Sequence, residues 1–480
     1  MSEVHDNAIV GKSLVDVAQA IAVGELTSVQ VLEACLTRFE RVAPLLNASL
    51  WIDQEAAYAA AYAADSALQR GERVGVLHGV PLAHKDMFAQ ANRKCSFGSK
   101  VYSDLTHSHD ATVIARLAGA GAYAFAGLNM AEFAQNGTGH NAHFGDGRNA
   151  WDSRFISGGS SSGSGASVAA CITYGSLGSD TGGSVRLPAS ANGVTGIKPT
   201  HSRVSRYGVM PLSFSTDTVG PLARTARDCA RMLGVIAGFD PHDHSSARVA
   251  VDRYEQRLNG DITGLRIGVP RNYFFKDASD CVISAFEKAL DVLESRGAIL
   301  VRLELPLMDA INTYGGLVTR VEAASLHVEN MRKQAGSISR HTNSRLFVSL
   351  AIPAAYYVEA ISRRGSVLKQ FATEVFEQVD VLATPTIAFN LPTRADSDID
   401  AGGEGADYYP RRVSDNTRPF NYLGLPSISF PCGFDFNGLP IGIQIAGRPF
   451  AESTILNVAD AFQRDTDWHL KRPVVDNFAD

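Results

Sequence analysis

The chain has 480 residues, of which 45% are hydrophobic and 20% charged, and its formal net charge at pH 7 is -6. These values are typical of a globular protein with a large core, and they exclude the basic surface that nucleic-acid binding requires. No window reaches the ~18 to 20 apolar residues of a membrane span, and no secretory signal pattern is visible. The sequence therefore predicts a cytoplasmic protein that binds a small molecule, with a homodimer left open.

Cysteine and histidine spacing gives no support for a metal site. The six cysteines are far apart and lack CxxC spacing, which predicts reduced, packed thiols. Two histidine pairs, His107 with His109 and His140 with His143, are close enough in sequence for shared ligation. Neither pair has a third ligand in a rigid motif, so we predict no metal.

The N-terminal part of the chain, residues 1–72, is predicted to be helical. Thr27 and Gln30 have capping-box spacing, and apolar residues recur behind them at helical intervals. A second, alanine-rich helix is predicted to stop at Gly71. We assign this part to the same domain as the rest, which gives one domain over residues 1–480.

From residue 74 onward, strand and helix patterns alternate. Asp110 is predicted to cap a helix that precedes a strand over residues 122–128. Pro353 is predicted to break a mostly helical region over residues 317–377. Further strands are predicted at 265–270, 298–303, 379–385, 427–431 and 442–446, and further helices at 225–238, 279–296 and 451–462. The alternation predicts an α/β fold with a single large mixed, mostly parallel central sheet covered by helices on both faces.

A stretch from Ser157 to Pro199 contains two glycine-serine clusters around a short apolar segment. One interpretation is a pair of tight helix N-terminal turns without chemistry. The other is a nucleophile site, since Gly159 to Gly163 matches G-x-S-x-G with Ser161 at its centre. In a glycine-serine tract that match carries little weight, and both interpretations stay open on composition alone.

Lys85 lies in an apolar run, directly before Asp86, although lysines usually occupy solvated faces. Together with the glycine-serine stretch, this run resembles the amidase signature family. The resemblance extends from about Leu14 to His469. It is carried by Gly79–Asp86, Gly127–Phe133, Gly158–Ser161, Asp180–Arg186, Gly196–Thr200, Asp217–Pro221 and Gly424–Ser429.

The resemblance implies a catalytic set of three residues. Ser184 would be the nucleophile, Ser160 a relay serine held by a non-proline cis peptide bond, and Lys85 the base. A serine hydroxyl needs such a base, and lysine serves only when neutral. Burial would therefore have to lower the lysine pKa by roughly 3 units, which lies within the range of desolvated lysines.

Further roles follow from the same resemblance. The oxyanion hole would be formed by the N–H groups of Thr181, Gly182, Gly183 and Ser184. Ser161, Asp180 and Arg186 would brace this loop, and Asn129, Met130, Gly158 and Gly159 are candidates for substrate binding. No metal or organic cofactor is implied.

The predicted function is amidohydrolase activity on a linear carboxamide of a small molecule. The alternative is a glutaminase-type A subunit of an amidotransferase, or a hydrolase subunit that needs an accessory protein. Such A subunits usually have an aspartate before a T-x-P-x-N segment to hold the substrate ammonium. Here Thr417 to Asn421 fits the segment, while Ser414 stands nearest the expected place and Asp415 is one residue away.

Overall fold

A computed structural model describes residues 8–475 of the chain. Its strands are β1 Ser49–Ile52, β2 Pro81–Lys85, β3 Tyr123–Leu128, β4 Gly175–Asp180, β5 Thr195–Lys198, β6 Thr218–Ala223, β7 Arg266–Pro270, β8 Ile299–Leu303, β9 Val381–Pro385, β10 Ser427–Phe434 and β11 Pro440–Gly447. Its helices are α1 Leu14–Ala22, α2 Ser28–Leu46, α3 Gln54–Gln69, α4 Thr112–Gly119, α5 Ser162–Ala169, α6 Arg186–Asn192, α7 Ala226–Ile236, α8 Asp280–Ser295, α9 Met308–Gln334, α10 Arg340–Leu350, α11 Ala354–Phe376, α12 Arg394–Ser397, α13 Tyr409–Arg412, α14 Arg418–Tyr422 and α15 Glu452–Asp465. No helix between residues 8 and 475 combines the length and the apolar character that crossing a membrane requires.

The largest sheet has eight strands in the order β4-β6-β5-β10-β11-β9-β7-β8. The α/β class with a large mixed sheet flanked by helices is confirmed. The predicted predominance of parallel pairing is wrong, because in this sheet, within residues 8–475, only β7 pairs in parallel with its neighbours β8 and β9. The other five pairs are antiparallel. One reason is the short link between β10 and β11, which leaves no room for the crossover that a parallel pair needs.

A second sheet has three strands in the order β1-β3-β2. β2 and β3 are parallel and joined through α4, which is the predicted strand-helix-strand unit. β1 pairs antiparallel with β3, so the N-terminal part contains a strand that the helical prediction for residues 1–72 lacks. The assignment of the whole chain to one domain stays a prediction.

Three predicted helix boundaries can be compared with the structure. The capping box of α2 is confirmed, since Thr27 Oγ1 accepts from the Gln30 N–H and the Gln30 side chain accepts from the Thr27 N–H. Pro353 directly precedes α11. The capping role of Asp110 is wrong: α4 begins after Ala111, and Asp110 Oδ1 instead accepts from the backbone N–H of Ala91 at 2.7 Å.

The two sheets meet edge to edge, where β2 faces β4. The backbone N–H of Leu177 in β4 donates to Nδ1 of His84 in β2 at 3.0 Å. Burial lowers the pKa of His84 to about 3, so its ring is neutral and free to accept. Lys85, the last residue of β2, therefore ends at the edge of the large sheet.

The main hydrophobic core packs helices against both sheets and takes in most of the thiols. Cys35, Cys95, Cys171, Cys229 and Cys432 belong to this core, whereas Cys281 is partly buried against it. The prediction of packed thiols is confirmed for those five.

Close packing in the large sheet gives a test of the β5–β6 contact. A Cβ on Gly220 would lie 2.0 Å from the carbonyl oxygen of Ile197, whereas a Cβ on Gly234 in α7 would meet no atom within 4 Å. We expect Gly220→Ala to lower the free energy of unfolding by about 1–3 kcal/mol through overpacking. Gly234→Ala should raise it by roughly 0.5–1 kcal/mol through helix propensity. Urea denaturation of both variants measures these two changes, and equal free energies of unfolding for the two variants would contradict the prediction.

Candidate active site

The glycine-serine stretch folds into buried structure around β4. Ser160 lies just before α5, and Ser184 lies just before α6. Both helices follow tight turns, as the interpretation without chemistry predicts, but the first turn also brings the Ser160 hydroxyl to Lys85.

Lys85 is fully enclosed and bound to two serines. Its side-chain nitrogen Nζ lies 2.6 Å from Ser160 Oγ and 2.8 Å from Ser179 Oγ, and 1% of the residue is exposed. Burial lowers the pKa of Lys85 to about 7, against the opposing effect of Asp217 and Asp180. A substantial fraction of this amine is therefore neutral at physiological pH.

Ser160 is held by the backbone on its N-terminal side. The Gly159-Ser160 peptide bond is cis. The Gly159 N–H donates to the Gly137 carbonyl at 2.7 Å, and a Cβ on Gly159 would lie 2.4 Å from the carbonyl oxygen of Asn136. Only glycine fits at this position, and this packing fixes Ser160 against Lys85.

The segment 181–185, which we call the nucleophile loop, contains N–H groups without acceptors. Within residues 8–475, the N–H groups of Thr181, Gly182 and Ser184 and the Ser184 hydroxyl make no hydrogen bond. Thr181 and Ser184 are 3% and 7% exposed. Buried N–H groups are rarely unpaired, so those of Thr181 and Ser184, together with that of the partly buried Gly182, indicate a site for an acceptor. Gly183 differs from the predicted set, because its N–H donates to Asp180 Oδ1 at 2.8 Å.

Neighbouring side chains hold the nucleophile loop from both sides. Thr417 Oγ1 donates to the Gly182 carbonyl at 2.6 Å, and Thr181 Oγ1 donates to Asp217 Oδ1 at 2.5 Å. Gly183 has φ +135°, and a Cβ there would lie 2.2 Å from Thr417 Oγ1. The loop therefore requires glycine at 183, and its unpaired N–H groups have a fixed direction.

A buried ion pair lies beneath the loop. Arg186 Nη2 lies 2.8 Å from Asp180 Oδ1, and both side chains are fully buried. Burial would raise the pKa of Asp180, but Arg186 outweighs it and lowers that pKa to about 2. Arg186 also donates to the Thr417 carbonyl, to Gln444 Oε1 and to Asn421 Oδ1, at 3.0, 2.6 and 2.7 Å.

Residues 30–456 match the family model described as Amidase. The chain belongs to the amidase family. It is 39% identical over 479 residues to the glutamyl-tRNA(Gln) amidotransferase A subunit of Chloroflexus aggregans, covering 95% of this chain and 96% of that one. This member of the family is therefore an enzyme that acts on amide C–N bonds, and both hydrolysis and amide transfer are represented among the proteins it is similar to.

Solved structures agree with the family assignment. One component of a vestigial protein complex, linked to the origins of an s-triazine catabolic enzyme, has 32% identity and a TM-score of 0.89, covering 95% of this chain and 98% of that one. A peptide amidase bound to the inhibitor chymostatin has 28% identity and a TM-score of 0.83, covering 95% and 97%.

The residues that were predicted to brace the loop or to bind substrate lie at different positions in the structure. Ser161 is fully buried, and its Oγ donates to the Ser179 carbonyl at 3.5 Å. The Asn129 amide donates to the carbonyls of Asn47 and Gly145, and its oxygen accepts from the Met130 N–H. Asn129 and Met130 are fully buried, and their assignment to substrate binding stays a prediction. Gly158 and Gly159 directly precede Ser160 in the chain.

The candidate metal ligands have other partners. The two ring nitrogens of His140 contact Thr138 Oγ1 and the Arg394 carbonyl, and His143 Nε2 contacts Glu132 Oε1. The rings of His107 and His109 are 6.3 Å apart. In the part of the chain that the structure describes, no three His, Cys, Asp or Glu side chains are grouped as ligands.

Three contacts of the site were not predicted as functional. Ser179 binds Lys85, Asp217 binds Thr181, and Thr417 binds Gly182. Asp217 lies in a segment used for the family resemblance, and Thr417 lies in the segment compared with amidotransferase A subunits, but neither residue had been given a role. Ser179 also lines a cavity of about 380 Å³ that extends past Asp217 to Phe214.

Removal of the Asp180 charge tests the ion pair. We expect Asp180→Asn to lower the free energy of unfolding by about 3–5 kcal/mol at pH 7, because Arg186 stays buried without its counter-charge. Since the folded pKa of Asp180 is depressed, its contribution is present above pH ~4 and is lost as the pH falls through about 2. The two proteins should therefore converge in stability at low pH. Urea denaturation from pH 2 to 7 measures this.

The matched control is Asp407→Asn, which breaks an exposed ion pair with Arg411. Exposed pairs contribute little, so this variant should resemble the wild type throughout. If Asp180→Asn lowered the free energy of unfolding at pH 7 by no more than Asp407→Asn does, the role given to the buried pair would be contradicted.

Proposed function

We propose that this amidase hydrolyses the carboxamide C–N bond of a small linear molecule through an acyl-enzyme on Ser184. Ser160 is the proton relay and Lys85 the base. The observation that carries the proposal is the 2.6 Å contact between Lys85 Nζ and Ser160 Oγ, with the lysine pKa near 7. The unpaired N–H groups beside Ser184 support the same assignment.

In the first half-reaction, Ser184 Oγ attacks the amide carbonyl carbon. Its proton passes to Ser160 Oγ while the Ser160 proton passes to the neutral Lys85 amine. The Ser184 hydroxyl has no partner in the free enzyme, so its contact with Ser160 forms as substrate binds. The carbonyl oxygen becomes an oxyanion that accepts from the N–H groups of Thr181, Gly182 and Ser184.

Collapse of this tetrahedral intermediate breaks the C–N bond. The proton held by Lys85 returns through Ser160 to the leaving nitrogen, which departs as ammonia or an amine. In the second half-reaction a water molecule attacks the ester, and the same relay removes its proton. The C–O bond to Ser184 then breaks, the proton returns from Lys85 through Ser160 to Ser184 Oγ, and the carboxylic acid leaves. The scheme requires no cofactor.

The nucleophile assignment predicts where the acyl group is found. Ser184→Ala should lower kcat by about 10⁴-fold or more, because the nucleophile is absent. Ser164→Ala is the control, since that hydroxyl lies in α5 and contacts only the Leu177 carbonyl. Mass spectrometry of enzyme quenched during turnover should locate the acyl group on Ser184. An acyl group on Ser161 would contradict the proposal.

The base assignment predicts a pH dependence. Only neutral Lys85 accepts a proton, so kcat/KM should fall about tenfold per pH unit below a pKa near 7. Lys85→Ala should lower kcat/KM by roughly 10²–10⁴-fold and remove that acid limb. Initial rates from pH 5 to 9 measure both effects. An unchanged acid limb in the variant would show that another group titrates.

The second candidate is the A subunit of an amidotransferase, favoured by the relative at 39% identity that has this name. Against it, Asp415 is already paired with Arg412 and Arg418, at 2.6 and 3.3 Å. Ser414, nearest the position of the ammonium-binding aspartate, carries no charge. Ammonia release from glutamine and from simple aliphatic amides by the isolated chain separates the two. Glutamine as the preferred substrate would favour the second candidate.

A further inference from the structure

A second cavity, of about 180 Å³, lies between α4 and the strands β2 and β3. Leu82 and His84 of β2, Ala124 of β3 and Leu117 of α4 are among the residues that line it. Successive side chains of a strand point to opposite faces, so His84 faces this cavity whereas Lys85, the next residue, faces the catalytic serines. The cavity is therefore separate from the candidate active site.

The His84 ring brings an unpaired donor to the cavity wall. Its Nδ1 accepts from the Leu177 N–H, so the neutral ring carries its proton on Nε2. Among the residues that the structure describes, this Nε2–H has no hydrogen-bond partner, and His84 is only 2% exposed. A buried donor without an acceptor costs about 1–3 kcal/mol. The cavity is the place where an acceptor for this donor can lie.

Two further side chains of the wall have unpaired polar groups. Gln90 is 8% exposed, and its side-chain amide makes no hydrogen bond within residues 8–475. Arg93 Nη1 is buried and has no partner in the described part of the chain, although Nη2 of the same guanidinium lies 3.1 Å from Asp53 Oδ2. Buried polar side chains normally have partners, so these groups and the His84 ring together indicate a site for a polar molecule.

The charges of the wall disfavour an ionic ligand. Asp53 already pairs with the Arg93 guanidinium. Asp110 adds a carboxylate, whose Oδ1 accepts from the Ala91 N–H at 2.7 Å, and between residues 8 and 475 no basic side chain pairs with it. A bound anion would be repelled by Asp110, and a bound cation would face the N–H donors of His84 and Arg93.

We infer that this cavity binds a small neutral amide or urea, at a place distinct from the catalytic serines. The carbonyl oxygen of the ligand accepts from the His84 Nε2–H and from Arg93, and its N–H groups donate to Asp110 and to the Gln90 side-chain oxygen. Leu82 and the apolar side chains of α4 contact its hydrocarbon part. A cavity of roughly 150 Å³ holds a benzene ring, so a ligand of about five to eight non-hydrogen atoms fits.

Occupancy of the cavity acts on the catalytic side through His84. An acceptor on Nε2–H favours the tautomer whose Nδ1 accepts from the Leu177 N–H, and this contact joins β2 to β4. Lys85 is the next residue of β2. The bound molecule therefore stabilises the strand that carries the base.

Three probes of the same shape test the ligand class: propionamide is neutral, propionate is an anion and propionamidinium is a cation. Each is titrated into Ser184→Ala with ¹⁵N-labelled histidine, and the Nε2 signal of His84, identified by its loss in His84→Gln, reports this cavity alone. We expect the Kd of propionamide to be at least about tenfold lower than that of either ion. An unmoved signal, or equal Kd values for the three probes, means that the cavity holds water only and overturns the inference.

Variants in the Ser184→Ala background locate the binding. Gln90→Leu removes the amide, and Ala118→Phe fills the mouth of the cavity, so each should raise the Kd of propionamide by about tenfold or more. Ala115→Phe is the control, since Ala115 is exposed on the same helix as Ala118 but does not line the cavity. An unchanged Kd in both cavity variants overturns the inference.

Hydrogen exchange of the Leu177 N–H tests the coupling to β4. Propionamide should slow this exchange in Ser184→Ala and leave it unchanged in Ser184→Ala with Gln90→Leu. Binding that leaves the exchange rate unaltered would overturn the stabilising role. These measurements need no turnover, so they stand whether or not the reaction proposed at Ser184 takes place.

Discussion

The buried ion pair between Asp180 and Arg186 is the interaction on which the site depends. Its two members end β4 and begin α6, and Arg186 reaches onward to Asn421 in α14 and Gln444 in β11. A buried pair contributes little net stability, because desolvation of both charges offsets their attraction. Its consequence is geometric: the Asp180 carboxylate accepts from the N–H groups of Gly183 and Val185, whereas those of Thr181, Gly182 and Ser184 stay unpaired within residues 8–475.

Two buried charged residues in this site have opposite protonation behaviour. Asp180 has a guanidinium partner, which keeps the carboxylate ionised down to a pKa of about 2. Lys85 has only hydroxyl partners, so burial dominates and brings its pKa to about 7. One group is thus a fixed charge and the other a titrating base. Environments that separate pKa values in this way are typical of catalytic sites.

Sequence predicted the residues of the site better than their surroundings. Lys85, Ser160 and Ser184 were assigned through the resemblance to the amidase signature family, since the glycine-serine pattern alone left both interpretations open, and the structure brings Lys85 and Ser160 into contact. Ser179 was missed, since one polar residue in a strand carries no local signal. The assignment of Asn129 to substrate binding stays a prediction, and its amide donates to two backbone carbonyls that the sequence alone could not identify. Strand direction was misjudged because hydrophobic periodicity reports burial, not orientation.

The edge-to-edge meeting of β2 and β4 has a consequence for solubility. The unpaired backbone N–H and C=O groups of an open edge strand can pair with a strand of another molecule, which is a common start of aggregation. Here the imidazole of His84 accepts a hydrogen bond from the Leu177 N–H, and the amine of Lys85 donates one to the Ser179 hydroxyl. The side chains of His84 and Lys85 therefore also shield the end of the large sheet. A substitution that separated β2 from β4 would therefore displace Lys85 and also expose a strand edge that promotes aggregation.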